Sequence, residues 1–213
     1  MTIRRSAILI VLLFLLPTFI QAQAEPRKTY PTAESAYHDL SQMTYTARRT
    51  AFKQLAPAIQ DSVWQVHLKN LLAERADLTD DERSVILEGI GLLDVGLATV
   101  DRDDPVWALK VYRPLQALQA RANTGCRPEI IKAAFGVLGP ARNDQSEERS
   151  SARLRLGRVA PQIGPSWGPC DCNVSHDFCG DITSVQSCQG LSCDHSDRGC
   201  GWFWMQECNG ICY

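Results

Sequence analysis

The sequence predicts a mainly α protein: a small helical bundle, then a linker, then a small disulfide-rich C-terminal module of loops and short β segments. Three observations predict it. Apolar residues between about 30 and 138 recur with a helical rather than an alternating period. Pro, Ser and Arg then concentrate over 139–169, where no apolar face persists. Finally, eight of the nine cysteines fall between Cys170 and the terminal Tyr213. The division is 1–24, 25–138, 139–169 and 170–213.

Residues 1–24 read as an export signal. Arg4 and Arg5 precede an apolar run from Ala7 to Leu16, and Ala22-Gln23-Ala24 supplies a small-x-small cut site after Ala24. The run is too short for a membrane span, which takes about 20 apolar residues. No later stretch approaches one, so the expected mature chain has no transmembrane span. It is expected to be secreted or periplasmic, where disulfides persist.

The helical part is punctuated by local chemistry. A first helix is expected over about Thr32 to Ala56, with a break near Thr44. Pro57 suits the first turn of a second helix, where its missing N–H is no loss. Thr79-Asp80-Asp81-Glu82 is a capping-box sequence. It opens a third helix whose apolar positions run from Val85 to Leu97 and Val100. Gly89, Gly91 and Gly96 each weaken that helix by about 1 kcal/mol against Ala, which close packing of another helix would justify. Asp104-Pro105 opens a fourth helix, in which Pro114 should produce a kink. A short last helix follows from Pro128 to about Val137.

The linker holds Arg142, Arg149, Arg153, Arg155 and Arg158 among Pro and Ser residues. Exposed segments of this kind are sites of proteolytic nicking, so a processing protease is an expected partner.

The tail cysteines are Cys170, Cys172, Cys179, Cys188, Cys193, Cys200, Cys208 and Cys212. A segment this short cannot hold itself together by apolar burial alone. An even count on an exported chain reads as four bridges, each contributing typically 2–4 kcal/mol. Eight cysteines allow 105 pairings, and spacing does not choose among them. Cys170 and Cys172 should not pair with each other, since one intervening residue strains the bridge. The competing reading is zinc, with His176 and His195 as further ligands. The CxxC knuckles of zinc ribbons are absent, so no metal is assigned. Cys126 stands outside the cluster, either as a small buried hydrophobe or as a free thiol.

The tail resembles fulvocin C and the fulvocin C-related bacteriocin family. The residues that carry the likeness are the Cys170-Asp171-Cys172 opening and the gaps from Cys172 to Cys179 and from Cys193 to Cys200. Gly201-Trp202, Cys208-Asn209-Gly210 and Tyr213 match as well. The sequence departs near the end, where Glu207 precedes Cys208 and Cys212 follows, and in the longer gap between Cys179 and Cys188. The resemblance covers about one fifth of the chain. It implies an exported bacteriocin-like precursor whose cysteine-rich module is an antibacterial effector. The partner would be a surface component or receptor of competing bacteria. The alternative is a periplasmic or surface binding or structural protein whose disulfide-stapled module works attached.

Charge narrows the mechanism. The tail carries six acidic residues against Arg198 alone. Anionic bacterial surfaces repel such a module, so recognition of a specific component suits it better than membrane disruption. Trp202, Phe203 and Trp204 are candidate target contacts if their segment is an exposed strand. Otherwise they form the tail's own small core. No GxSxG, HExxH or nucleotide-binding loop is present, and His38, His67, His176 and His195 are scattered. The sequence therefore points to no enzyme, no cofactor and no nucleic-acid partner.

Overall fold

A computed structural model describes residues 30–101, 103–139, 170–175, 187–190 and 193–212. The expected export signal, nearly all of the linker, and Cys179 and His176 lie outside the described residues. The architecture is mainly α with a C-terminal region of short strands, as the periodicity and the cysteine count predict.

Helices begin where capping chemistry places them. The first expected helix is two: α1 (Ala33–Ser41) and α2 (Tyr45–Lys53). The break falls at Thr44, whose side chain caps α2 by accepting from Ala47 N–H. Helix α3 (Pro57–Glu74) starts on Pro57. Helix α4 (Asp80–Val95) starts from a complete capping box between Thr79 and Glu82. It stops earlier than the apolar pattern implies. Gly96 takes φ +91° and turns the chain, so Leu97 is buried from a loop and not from the helix.

Pro114 does not simply kink its helix. It cannot donate to the carbonyl one turn back, and the turn ahead of it, Ala108–Tyr112, widens to π geometry before α5 (Arg113–Gly125). The last helix behaves alike: α6 (Pro128–Ile131) runs into a π turn over Lys132–Gly136, closed by Val137 N–H to Lys132 C=O at 3.0 Å.

The tail forms two antiparallel strand pairs. β1 (Cys188–Gln189) pairs with β4 (Ile211–Cys212), and β2 (Ser196–Cys200) pairs with β3 (Gln206–Cys208). Between β2 and β3 lies a tight helical turn, Trp202–Trp204. Among the described residues, the tail's aromatic side chains do not form a core of their own. Trp202, Phe203, Trp204 and Met205 are buried in the same cluster as Phe52, Trp64, Leu68 and Phe135 of the helices. Burying such side chains is worth roughly 1.5–3 kcal/mol each.

Candidate functional site: the joint between helices and tail

The segment 202–205 is neither an exposed strand nor a small core of the tail. Phe203 and Trp204 have φ of +59° and +53°, in the left-handed region that disfavours side chains. Trp202, Phe203 and Trp204 are at most 2% exposed. In this state of the chain they are buried and present no surface to a target. The left-handed turn points these large rings away from the strand pair and into the helices.

Their receptor is aromatic. Trp202 stacks on Phe135 with ring centroids 4.2 Å apart, and Phe203 meets Trp64 edge-on at 5.5 Å. Trp204 sits edge-on among Tyr45, Phe52 and Trp64 at 5.5–5.8 Å. Edge-to-face and offset contacts of this kind add about 0.5–1.5 kcal/mol to area burial. Trp204 Nε1 donates to Gly136 C=O at 2.9 Å. That carbonyl ends the π turn and has no further helical turn to accept from, so it is available to the tail.

A buried guanidinium fixes the register. Arg49 Nη1 donates to Asp171 C=O at 2.7 Å, and Nε donates to Gly199 C=O at 3.2 Å. Nη2 also donates to Gly199 C=O and lies 2.8 Å from Cys200 Sγ. One side chain of α2 thus ties the backbone between Cys170 and Cys172 to the backbone beside Cys200. Gly199 has φ +115°, a backbone conformation in which a side chain is strained, and it lies against the Lys53 side chain of α2.

A further anchor uses the tail's sole basic residue. Arg198 Nη1 donates to Ala98 C=O at 3.0 Å, while Ala98 N–H donates to both carboxylate oxygens of Asp61, at 2.9 and 3.1 Å. Burial pushes the Asp61 carboxyl up to about 6, against the pull of the Ala98 amide and Arg198.

His67 lies behind the aromatic cluster. Its Nε2 donates to Ala133 C=O at 2.8 Å, and Nδ1 accepts from Gly139 N–H at 3.2 Å. Burial pushes its pKa down to about 4, which keeps the ring neutral. With both ring nitrogens engaged by backbone, it holds the C-terminal end of the helical part in place.

In the tail, Cys170 pairs with Cys193, Cys172 with Cys188, and Cys200 with Cys208. Cys212 is disulfide-bonded as well. Neighbouring cysteines 170 and 172 take different partners. A disulfide sulfur is not the thiolate zinc requires, so the groupings of Cys170, Cys193 and His195 and of Asp171, Cys172 and Cys212 do not fit a zinc site in this oxidised form. Cys126 is a free, half-buried thiol, its pKa raised by burial and by the nearby Glu82 and Asp81 carboxylates. Among the described residues no helix is long and apolar enough to cross a membrane.

The sequence singled out the cysteines and the aromatic segment. It missed Arg49, Asp61 and the Arg198 anchor. A pattern did mark Arg49: it lies four residues after Tyr45 and three before Phe52, on the apolar face of α2. Compared with family models, curated proteins and solved structures, the chain matches none of them.

Proposed function

We propose that this chain is an exported, bacteriocin-like precursor in which the cysteine-rich module is the antibacterial effector and the helical domain masks it. The observation that carries this reading is the burial of Trp202, Phe203, Trp204 and Met205 in the helical core. An effector module that recognises a bacterial surface component needs apolar contact residues, and this run holds both tryptophans of the 170–213 segment. Holding them under the helices would keep the producing cell safe until the linker is cut and the target draws the tail off the helices. The acidic tail suits a specific receptor better than a bare anionic membrane. The 1–24 segment and the disulfides support export.

The test is growth inhibition. The oxidised tail, released by a single cut in the linker and separated from the helical part, inhibits a related strain, while the intact chain does not. A tail inert across a broad panel removes the proposal.

Arg49 favours a second reading, a periplasmic or surface binding protein whose tail works attached. A buried guanidinium shared between both parts is a costly joint to open. Mass spectrometry of the exported material separates the two. A fragment starting near 157–170 supports release, and a species running only from Glu25 supports the attached form.

A further inference from the structure

We infer that the helical domain is the template on which the cysteine-rich tail is oxidised, selecting the native pairing by holding the tail's backbone in place. This role is independent of whether the tail later acts released or attached.

Among the described residues, the cluster that the tail buries by itself consists of cysteines: Cys170, Cys200 and Cys208, with Cys193 packed against them. Among the described residues, Trp202, Phe203, Trp204 and Met205 of the tail are buried with the helical core. The turn that brings Cys200 and Cys208 to a Cα separation of 5.1 Å passes through left-handed Phe203 and Trp204. Such conformations cost about 1–3 kcal/mol each and persist only where surroundings over-determine them. Here the surroundings are Phe135, Trp64, Phe52 and the Gly136 carbonyl, all from the helices.

Arg49 adds selection between bridges. It holds the Asp171 and Gly199 carbonyls on one guanidinium, so the segment bearing Cys170 and Cys172 is positioned against the segment bearing Cys200. In the reduced chain, a guanidinium beside Cys200 Sγ favours the thiolate and makes this cysteine the first nucleophile. The oxidant is a small external disulfide such as oxidised glutathione. Cys200 thiolate attacks one of its sulfurs and releases one glutathione. Cys208 thiolate then displaces the second, closing the Cys200–Cys208 bond. The disulfide is reduced to two thiols, which take up the two protons the cysteines lose.

The experiment refolds the reduced full chain in a glutathione buffer, quenches at intervals by alkylation, and maps the Cys200–Cys208 peptide by mass. Arg49→Met keeps the apolar stem and removes the donors. Trp204→Phe keeps the ring and removes the hydrogen bond to Gly136. Arg121→Met, which loses exposed contacts with Glu88 and Ser84, serves as the reference. With helical circular dichroism unchanged, Arg49→Met forms the native link about tenfold more slowly and accumulates other pairings. Native pairing at the parent's rate in Arg49→Met overturns the template role. If Arg49→Met loses its helical signal, Trp204→Phe decides: slower native pairing upholds the role, and parental pairing overturns it.

Discussion

Phe135 and Trp202 stack face to face, with ring planes 4° apart and centroids 4.2 Å apart. Phe135 stands in the π turn that ends the helical part, and Trp202 stands at the tip of the disulfide-closed loop. The contact joins the two parts of the chain without a covalent link.

The helix behind this stack sets its tolerance. A Cβ on Gly89 would meet Phe135 Cε1 at 2.7 Å and Leu68 Cδ1 at 3.4 Å, whereas one on Gly91 would meet nothing within 4 Å. Gly91→Ala is therefore expected to stabilise the protein by about 0.8–1 kcal/mol through helix propensity. Gly89→Ala is expected to destabilise it by about 1–3 kcal/mol through overpacking. Urea unfolding of the two variants checks the opposite signs.

Two buried groups titrate against each other. His67 has its pKa lowered to about 4, so as pH falls from about 6.5 the unfolded state is protonated first and stability is lost. Asp61 has its pKa raised to about 6, so as pH falls below that value the folded state is protonated first and stability is gained. Between about pH 6 and 4 the two slopes offset. Asp61→Asn removes the second slope. Its stability is expected to drop from pH 6.5 to 4.5 by about 2 kcal/mol more than the parent's. Equal slopes in urea titrations at the two pH values would contradict this.

Glu82 closes the other end of the bundle. It accepts from Thr79 N–H at 2.9 Å, from Arg127 Nε at 2.8 Å and from Arg127 N–H at 3.1 Å, joining α4 to the start of α6. The Arg127 hydrogen bonds hold its pKa at about 2. Glu82→Ala leaves these donors unpaired and is expected to cost about 2–3 kcal/mol, read as a lowered urea midpoint at pH 7. Because the folded pKa is depressed, the contribution is present above about pH 4.5 and lost as pH falls toward 2.

A single engineered cut between Arg142 and Arg158 is expected to leave the two fragments together on size exclusion at neutral pH. They should separate in denaturant without reductant. The described bridges all lie within the tail, and Cys126 is free, so aromatic packing with the Arg49 and Arg198 hydrogen bonds holds the fragments. Separation without denaturant would show that the buried aromatics contribute little.

Helix starts were legible because their determinants are local. Thr44, Pro57 and the Thr79–Glu82 box each act within a few residues of where they stand. The stop of α4 was misread because Leu97 continues the apolar period, while Gly96 ends the helix by backbone conformation alone. The joint was not legible for a different reason. Trp204 meets Gly136 across 68 residues, and Arg49 meets Gly199 across 150. Periodicity reports which face is apolar, not which distant segment covers it. The Trp202–Trp204 run therefore looked equally like a surface and a core, and the left-handed turn that decides between them leaves no compositional mark.

The seat for Trp204 is made long before its occupant. A ribosome adding about 5–20 residues per second needs roughly 3–14 s to travel from Gly136 to Trp204. During that interval Phe52, Trp64 and Phe135 lack the Trp202–Trp204 rings that cover them in the finished chain. Until the tail arrives these rings are uncovered apolar surface, which is when a holdase chaperone would have most to grip.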